Sequence, residues 1–418
     1  MRALSRLLRR PATGALAGQG GQAVAGLALQ VVAARELGAA GLATFSLVYG
    51  AIVLATAVCS GLVGDSLTVL DRHRPDLRAG LHVGALGVVG TAAVVGAVLA
   101  LAMDVVPLWA APLLGLATAA FVLEDTLRRL LMATGRFWSL TLVDGTHLVL
   151  GLGVLAALAA SGPLTLTSFV LAVLVGKAGA TAVAWALLPA HERPHGPWRA
   201  PALAEVAGFG VWRALAQTIR PAMLTLLRLV VIGVAGAAAY GPLEAARVYT
   251  APALVLVAGM GSFLLPHFVG LRPQGVAAGL RAADRAALGL TLGVAALGGA
   301  ALVALPWVAP LLTGGGYDVP AGAVAGWAVY AAASATLLPY ASLASVHGRQ
   351  RRVLALRSLE FVSLAAVLAL VLFGGADGAV LAPLALALGP LLTAVAVRRL
   401  VRQPADLPRP TVPEPVAA

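Results

Sequence analysis

Apolar runs of about twenty residues recur along this chain at 14–34, 42–64, 81–103, 107–127, 139–160, 165–188, 209–234, 243–268, 287–311, 321–344, 358–376 and 378–397, with short polar connections between them. At a rise of about 1.5 Å per residue, each run matches a hydrocarbon core about 30 Å thick. The pattern predicts twelve membrane-spanning helices, the last two of which also fit a re-entrant pair. The connections then set the orientation. Of 29 Lys and Arg, 23 fall in the seven segments that a cytoplasmic N-terminus places inside, whereas the opposite connections hold only Arg35. Cytoplasmic loops collect basic residues, so both termini are expected in the cytoplasm.

One run departs from simple apolarity. VWRALAQTIRPAMLTLLRLVVIGV, 211–234, carries Arg213, Gln217, Arg220 and Arg228. At about 100° per residue, these four lie within roughly 80° of one another on one helical face. Arg220 precedes Pro221, which removes a backbone donor at mid-helix. A charge at mid-membrane costs about 2.5–3.5 kcal/mol on insertion scales, so this stripe is expected to face water, acids or an anionic cargo. Arg213 has a second reading, snorkelling to the headgroups. The first span offers Gln19, Gln22 and Gln30 on a common face, read either as a packed seam or as a cavity lining. Lys177 and Arg247 also lie within spans, the latter with Glu244 three residues before it. Asp65, Glu124, Asp125, Asp144 and Glu360 fall near inner helix ends, where Arg128, Arg129, Arg136 and the inner loops are their expected partners. Asp144 is also a candidate proton or sodium site. The cavity candidates are therefore Arg220, Arg213, Arg228, Gln217, Arg247, Lys177, Gln22 and Gln30, with no acid expected at mid-depth beside the arginines.

Composition supports the membrane reading. Of 418 residues, 60% are hydrophobic and only 11% charged, and the mean hydropathy is +0.93. A soluble protein of this size needs more polar surface. The net charge of +12 is assigned to basic inner loops rather than to nucleic-acid binding. The single Cys59 excludes a disulfide framework. The expected organisation is a basic N-terminal segment at 1–12, a first lobe of six spans at 13–190, a loop at 191–205, a second lobe at 206–400 and a tail at 401–418. An offset of 200 residues pairs Gly41 with Gly241, Tyr49 with Tyr249 and Gly61 with Gly261, which marks the two lobes as repeats. Transporters built this way bind cargo between their halves.

Catalytic chemistry is scarce. No paired carboxylates or metal-spaced cluster shares a span, and neither metal nor cofactor is expected. His73, His191 and His195 fall in inner loops. His82, His147, His267 and His347 lie near inner helix ends and read as solvated or internally satisfied. The outer connections are short, as at 161–164 and 374–378, which disfavours a membrane-embedded glycan polymerase or glycosyltransferase.

Three stretches carry a family resemblance: AARELGAAGLATFSLVYG at 33–50, LRRLLMATGRFW at 127–138 and RLVVIGVAGAAAYGPLEAARVYTAP at 228–252. They resemble polysaccharide flippases of the multidrug/oligosaccharidyl-lipid/polysaccharide exporter superfamily. The resemblance implies an all-α polytopic fold of about twelve spans in two lobes, and no enzyme. It implies export of a lipid-linked saccharide on a polyprenyl-phosphate carrier across a bacterial inner membrane, with membrane lipids and a polysaccharide polymerase or glycosyltransferases as partners. Arg228 matches that family's membrane arginine, but Leu227 stands where an acid often precedes it. The alternative within the superfamily is a cation-coupled multidrug or metabolite antiporter, which needs a titrating acid in the membrane, offered here by Asp144 and Asp65.

Overall fold

A computed structural model describes residues 11–193, 198, 200–347 and 349–403. The basic segment ahead of residue 11, His195, Arg199 and the tail past 403 lie outside the described residues, as does the side chain of Gln19. Twelve long helical segments follow in order. They are α1 (Pro11–Glu36), α2 (Gly38–Cys59, continued by a π-turn at Ser60–Gly64 and by Asp65–Val69), α3 (Pro75–Ala102), α4 (Ala111–Ala133), α5 (Phe137–Ala159) and α6 (Leu166–Leu187). The second six are α7 (Leu203–Ala235), α8 (Ala237–Leu271), α9 (Val276–Thr313), α10 (Ala321–Val346), α11 (Gln350–Arg357 through Val362–Val380) and α12 (Ala382–Leu386 with Leu388–Arg402). Ten of them, all but α1 and α8, are long and apolar enough to cross a membrane by length and composition. This is a multi-pass membrane protein. The final two runs form separate helices, and α11 is interrupted at Gly375, where φ is 55°.

The repeat seen in the sequence has a local counterpart. Gly38 (φ 66°) turns the chain between α1 and α2, and Gly236 (φ 88°) does the same between α7 and α8. Both angles are left-handed and favour glycine, so each half opens with a helix pair folded on a one-residue hinge. Pro221 sits inside α7, which nevertheless runs unbroken from Leu203 to Ala235.

Packing divides the helices into two groups of six. In the first, α1 packs on α5, α4 on α6, α5 on α6 and α3 on α4. In the second, α9 and α8 pack on α10, α10 on α12 and α7 on α11. The seam between the groups is made by α1 and α2 against α7 and α8. Glycines allow this approach. A Cβ at Gly61 of α2 would collide with the Ala214 backbone of α7, and one at Gly210 of α7 with the Leu62 carbonyl. At the opposite end of the seam, a Cβ at Gly241 of α8 would meet the Ala39 carbonyl of α2. The connections at 70–74, 134–136 and 188–193 share one end of the molecule, here called the arginine-rich face.

Candidate functional site

The largest concentration of buried charge lies in the first half. Glu124 and Arg128 sit one turn apart on α4, and both are buried. Lys177 of α6 donates to Glu124 Oε2 at 2.8 Å and rests 4.1 Å from the Phe121 ring centroid. Arg128 Nη1 is 3.2 Å from Asp144 Oδ1 on α5, while its Nε stands 3.9 Å from Glu124. Two acids and two bases thus balance in charge, as burial in the membrane demands. Their hydrogen bonding does not balance. Glu124 Oε1, Arg128 Nε and Nη1, Asp144 Oδ2 and His147 Nδ1 are buried without a hydrogen-bond partner. A buried polar group left unpartnered is uncommon and marks a place where the site is doing something besides packing.

One residue further along α4 in each case, Asp125 and Arg129 face the seam. Arg129 bonds Asp125 Oδ2 and Ser60 and reaches Asp65 Oδ1 of α2 at 3.1 Å. The other Asp65 oxygen accepts from Arg213 Nε at 2.7 Å and from Gln217 Nε2 at 2.8 Å. Asp65 therefore joins α2 and α4 of the first half to α7 of the second. Beside it, a polar cavity of about 250 Å³ is lined by Gln22 of α1, Thr56 and Ser60 of α2, Asp125, Arg128 and Arg129 of α4, and Gln217 of α7. Arg128 belongs to both the buried network and this cavity.

A second charged cluster lies in the second half. Glu244 of α8 is fully buried. It accepts from Arg228 Nη2 at 3.2 Å, from Arg247 Nη2 at 2.6 Å and from the Tyr240 hydroxyl at 2.7 Å. Arg247 also donates to Gln30 Oε1 of α1, which crosses the seam near its other end. Arg228 Nε is buried without a partner.

The structure thus revises the arginine stripe. No acid was expected at mid-depth beside it; Asp65 holds Arg213 and Gln217, and Glu244 holds Arg228 as well as its expected partner Arg247. Asp65 was assigned to Arg128, Arg129, Arg136 and the inner loops and Glu244 to Arg247 alone, because the added partners on α7 appear only once α2 and α8 lie against it. Lys177 likewise is closed by Glu124 rather than left open to a cavity. Arg220 alone among the stripe keeps the expected freedom: it is half-buried and has no hydrogen bond or ion pair among the described residues. Of the glutamines, Gln22 and Gln217 line the cavity and Gln30 does not. Asp144 pairs with Arg128, as the structural alternative for it predicted. His147 is buried in the network rather than solvated. Arg128, Arg129, Asp125 and Glu124 were not among the site candidates. Their spacing along α4, with the pairs 124/128 and 125/129 on neighbouring faces, is the signal that would have found them.

No protein-family model matches the chain, and no curated protein matches it. Solved structures do. An inward-facing multidrug resistance MATE family transporter of the MOP superfamily superposes with a TM-score of 0.69 at 18% identity, covering 91% of this chain and 94% of that one. The eukaryotic MATE transporter AtDTX14 gives 0.66 at 12%, covering 96% of each. A MOP superfamily transporter from Pyrococcus furiosus, described as having a binding pocket of reverse polarity that suggests a different function, gives 0.64 at 16%, covering 95% and 96%. At these identities the likeness is one of fold.

Proposed function

We propose that this chain is a cation-coupled secondary transporter that moves its cargo by alternating access across the seam, with the Asp144–Arg128–Glu124–Lys177 network as the coupling element. The observation that carries this reading is the double membership of Arg128, which pairs with Asp144 in the buried network and lines the inter-half cavity. While Asp144 is ionised, it holds Arg128. Adding a cation at the unpartnered Asp144 Oδ2, in the simplest case a proton, cancels that attraction and frees Arg128 to swing toward Glu124 or into the cavity. The charge lining the cargo cavity then depends on cation occupancy, which is the physical requirement for coupling. The cavity presents Asp125, two arginines, two glutamines and two hydroxyls. That mixed lining suits a small polar cargo with both donor and acceptor groups. The fold likeness to transporters described as multidrug resistance proteins supports the same reading.

The test uses proteoliposomes with proton and sodium gradients imposed in turn. Asp144→Asn is expected to insert normally and to lose gradient-driven cargo movement by about tenfold or more, the loss of roughly 1.4 kcal/mol of coupling. Wild-type rates in that variant would overturn the proposal.

A second reading, flipping of an anionic lipid-linked saccharide in a bacterial inner membrane, has support of its own. Arg220 of α7 has no carboxylate partner among the described residues. An apolar groove of about 380 Å³ between α2 and α3 reaches α7 at Thr225 and Leu229, where a lipid tail is accommodated while its head crosses. Transbilayer movement of a fluorescent polyprenyl phosphate by wild type, lost in Arg220→Ala, would favour it.

A further inference from the structure

The charged cluster around Glu244 balances differently from the one in the first half. There, Glu124 and Asp144 face Arg128 and Lys177, two charges against two. Here Arg228 and Arg247 share the single carboxylate of Glu244, and no other acid pairs with either among the described residues. One positive charge is left over. Arg228 is only 5% exposed and Glu244 is fully buried. A lysine could shed the excess as a proton, but a guanidinium keeps its proton at any working pH. An unmatched charge in this setting is costly, so a counter-charge is expected beside it.

Two unused donors mark where that counter-charge would sit. Arg228 Nε and Thr225 Oγ1 are both buried without a hydrogen-bond partner. They belong to residues three apart on α7, on one helical face. The threonine stands out from its kind. Thr56, Thr118, Thr126 and Thr250, also buried, each donate to the carbonyl one turn back on their own helix, the local bond open to any helical hydroxyl. Thr225 does not. Both side chains meet α2 at Gly50, where a Cβ would collide with Arg228 Nη1 and lie 3.4 Å from Thr225 Oγ1. The bare backbone of Gly50 thus closes a third side. A water molecule would satisfy the two donors and leave the charge standing. Both donor atoms are shut off from solvent, which suits a single-atom ion rather than a polyatomic anion or a cargo headgroup.

We propose that Arg228 Nε and Thr225 Oγ1 hold one small halide ion, of which chloride is the common one, against Gly50 where α2 meets α7. The ion completes the charge of the Glu244 cluster. None of these residues lines the polar cavity between the halves, so the site stands independently of the role assigned to Asp144.

The full chain, purified in detergent, is melted in sodium chloride and in sodium gluconate at equal ionic strength, gluconate being too large to enter. The midpoint is expected to rise by about 1–2 °C for each tenfold increase in chloride past half-saturation, and to stay flat in gluconate. Thr225→Val keeps the side-chain shape and removes one donor. That variant is expected to lose the chloride response. Wild-type crystals soaked in bromide are expected to show an anomalous peak between Arg228 Nε and Thr225 Oγ1. Equal midpoints in chloride and gluconate at every concentration overturn the site. A chloride response undiminished in Thr225→Val, or bromide density only elsewhere, overturns it as well. If the valine variant fails to fold, the bromide position in wild type decides alone.

Discussion

Arg220 and Arg228 are eight residues apart on α7 and live in opposite circumstances. Arg228 is closed by Glu244, whereas Arg220 has no carboxylate among the described residues. Arg220→Ala is therefore expected to leave the thermal midpoint within about 1 °C of wild type, since an unpaired surface-like cation contributes little to stability. Transport measured in vesicles is expected to fall if that guanidinium contacts cargo. Glu244→Gln is the converse case. It strands the buried Arg228 and the partly buried Arg247 on a neutral amide, and removing one partner of a buried ion pair costs about 3–5 kcal/mol. A large drop in melting temperature, measured by fluorescence in detergent, is the expected outcome. At this scale the sequence was half legible. The polar residues were visible as intruders in apolar runs, but the partners were not, because Asp65–Arg213 and Arg228–Glu244 depend on which helices meet. Only pairs local in sequence, such as Glu244 with Arg247, were readable from spacing.

Among the elements, α4 does the most to position the site. Its two faces carry Glu124/Arg128 toward α5 and α6, and Asp125/Arg129 toward the seam. The turn after α6 is fixed by Glu192, which accepts from Arg72 at 3.0–3.3 Å. Arg72 beside it, then burial acting in the opposite sense, leaves the Glu192 carboxyl below its ordinary value of 4.5. A depressed carboxylate contributes stability that is fully present above the unfolded value and is lost as pH falls through the folded one. Hydrogen-exchange rates across 189–193, divided by the intrinsic rate at each pH, are thus expected to be flat from pH 8 to about 5 and to rise below the unfolded value. Glu192→Gln should show the fast rate throughout. The elements themselves were legible, since each of twelve apolar runs became a helix. Their ends were not. The helix containing 287–311 begins at Val276, because its first three turns are amphipathic and lie outside any apolar run.

The whole molecule was legible as two six-helix halves because apolar periodicity, loop charge and the 200-residue repeat all agree. What it carries was not, since identical folds serve different cargoes. The inter-half contact through Asp65, Arg213 and Gln217 predicts a gate. In a Cys59→Ala background, cysteines at Asp65 and Arg213 bridged by a cleavable bis-thiol reagent are expected to stop transport, and cleavage to restore it. Continued transport in the bridged protein would show that this contact need not open during the cycle.

The glycine contacts at the two ends of the seam have a consequence for energy conservation. Gly61 and Gly210 let the backbones touch at the arginine-rich face, and Gly241 does so at the opposite one. In the conformation described here the backbones of the two halves touch at both places. Rigid bundles meeting at two such points can tilt apart at one only by pressing harder at the other. Side chains larger than hydrogen there would act as wedges, holding a continuous aqueous path from side to side. Ions would then run down their gradient with no cargo moved, and the membrane itself would be depolarised.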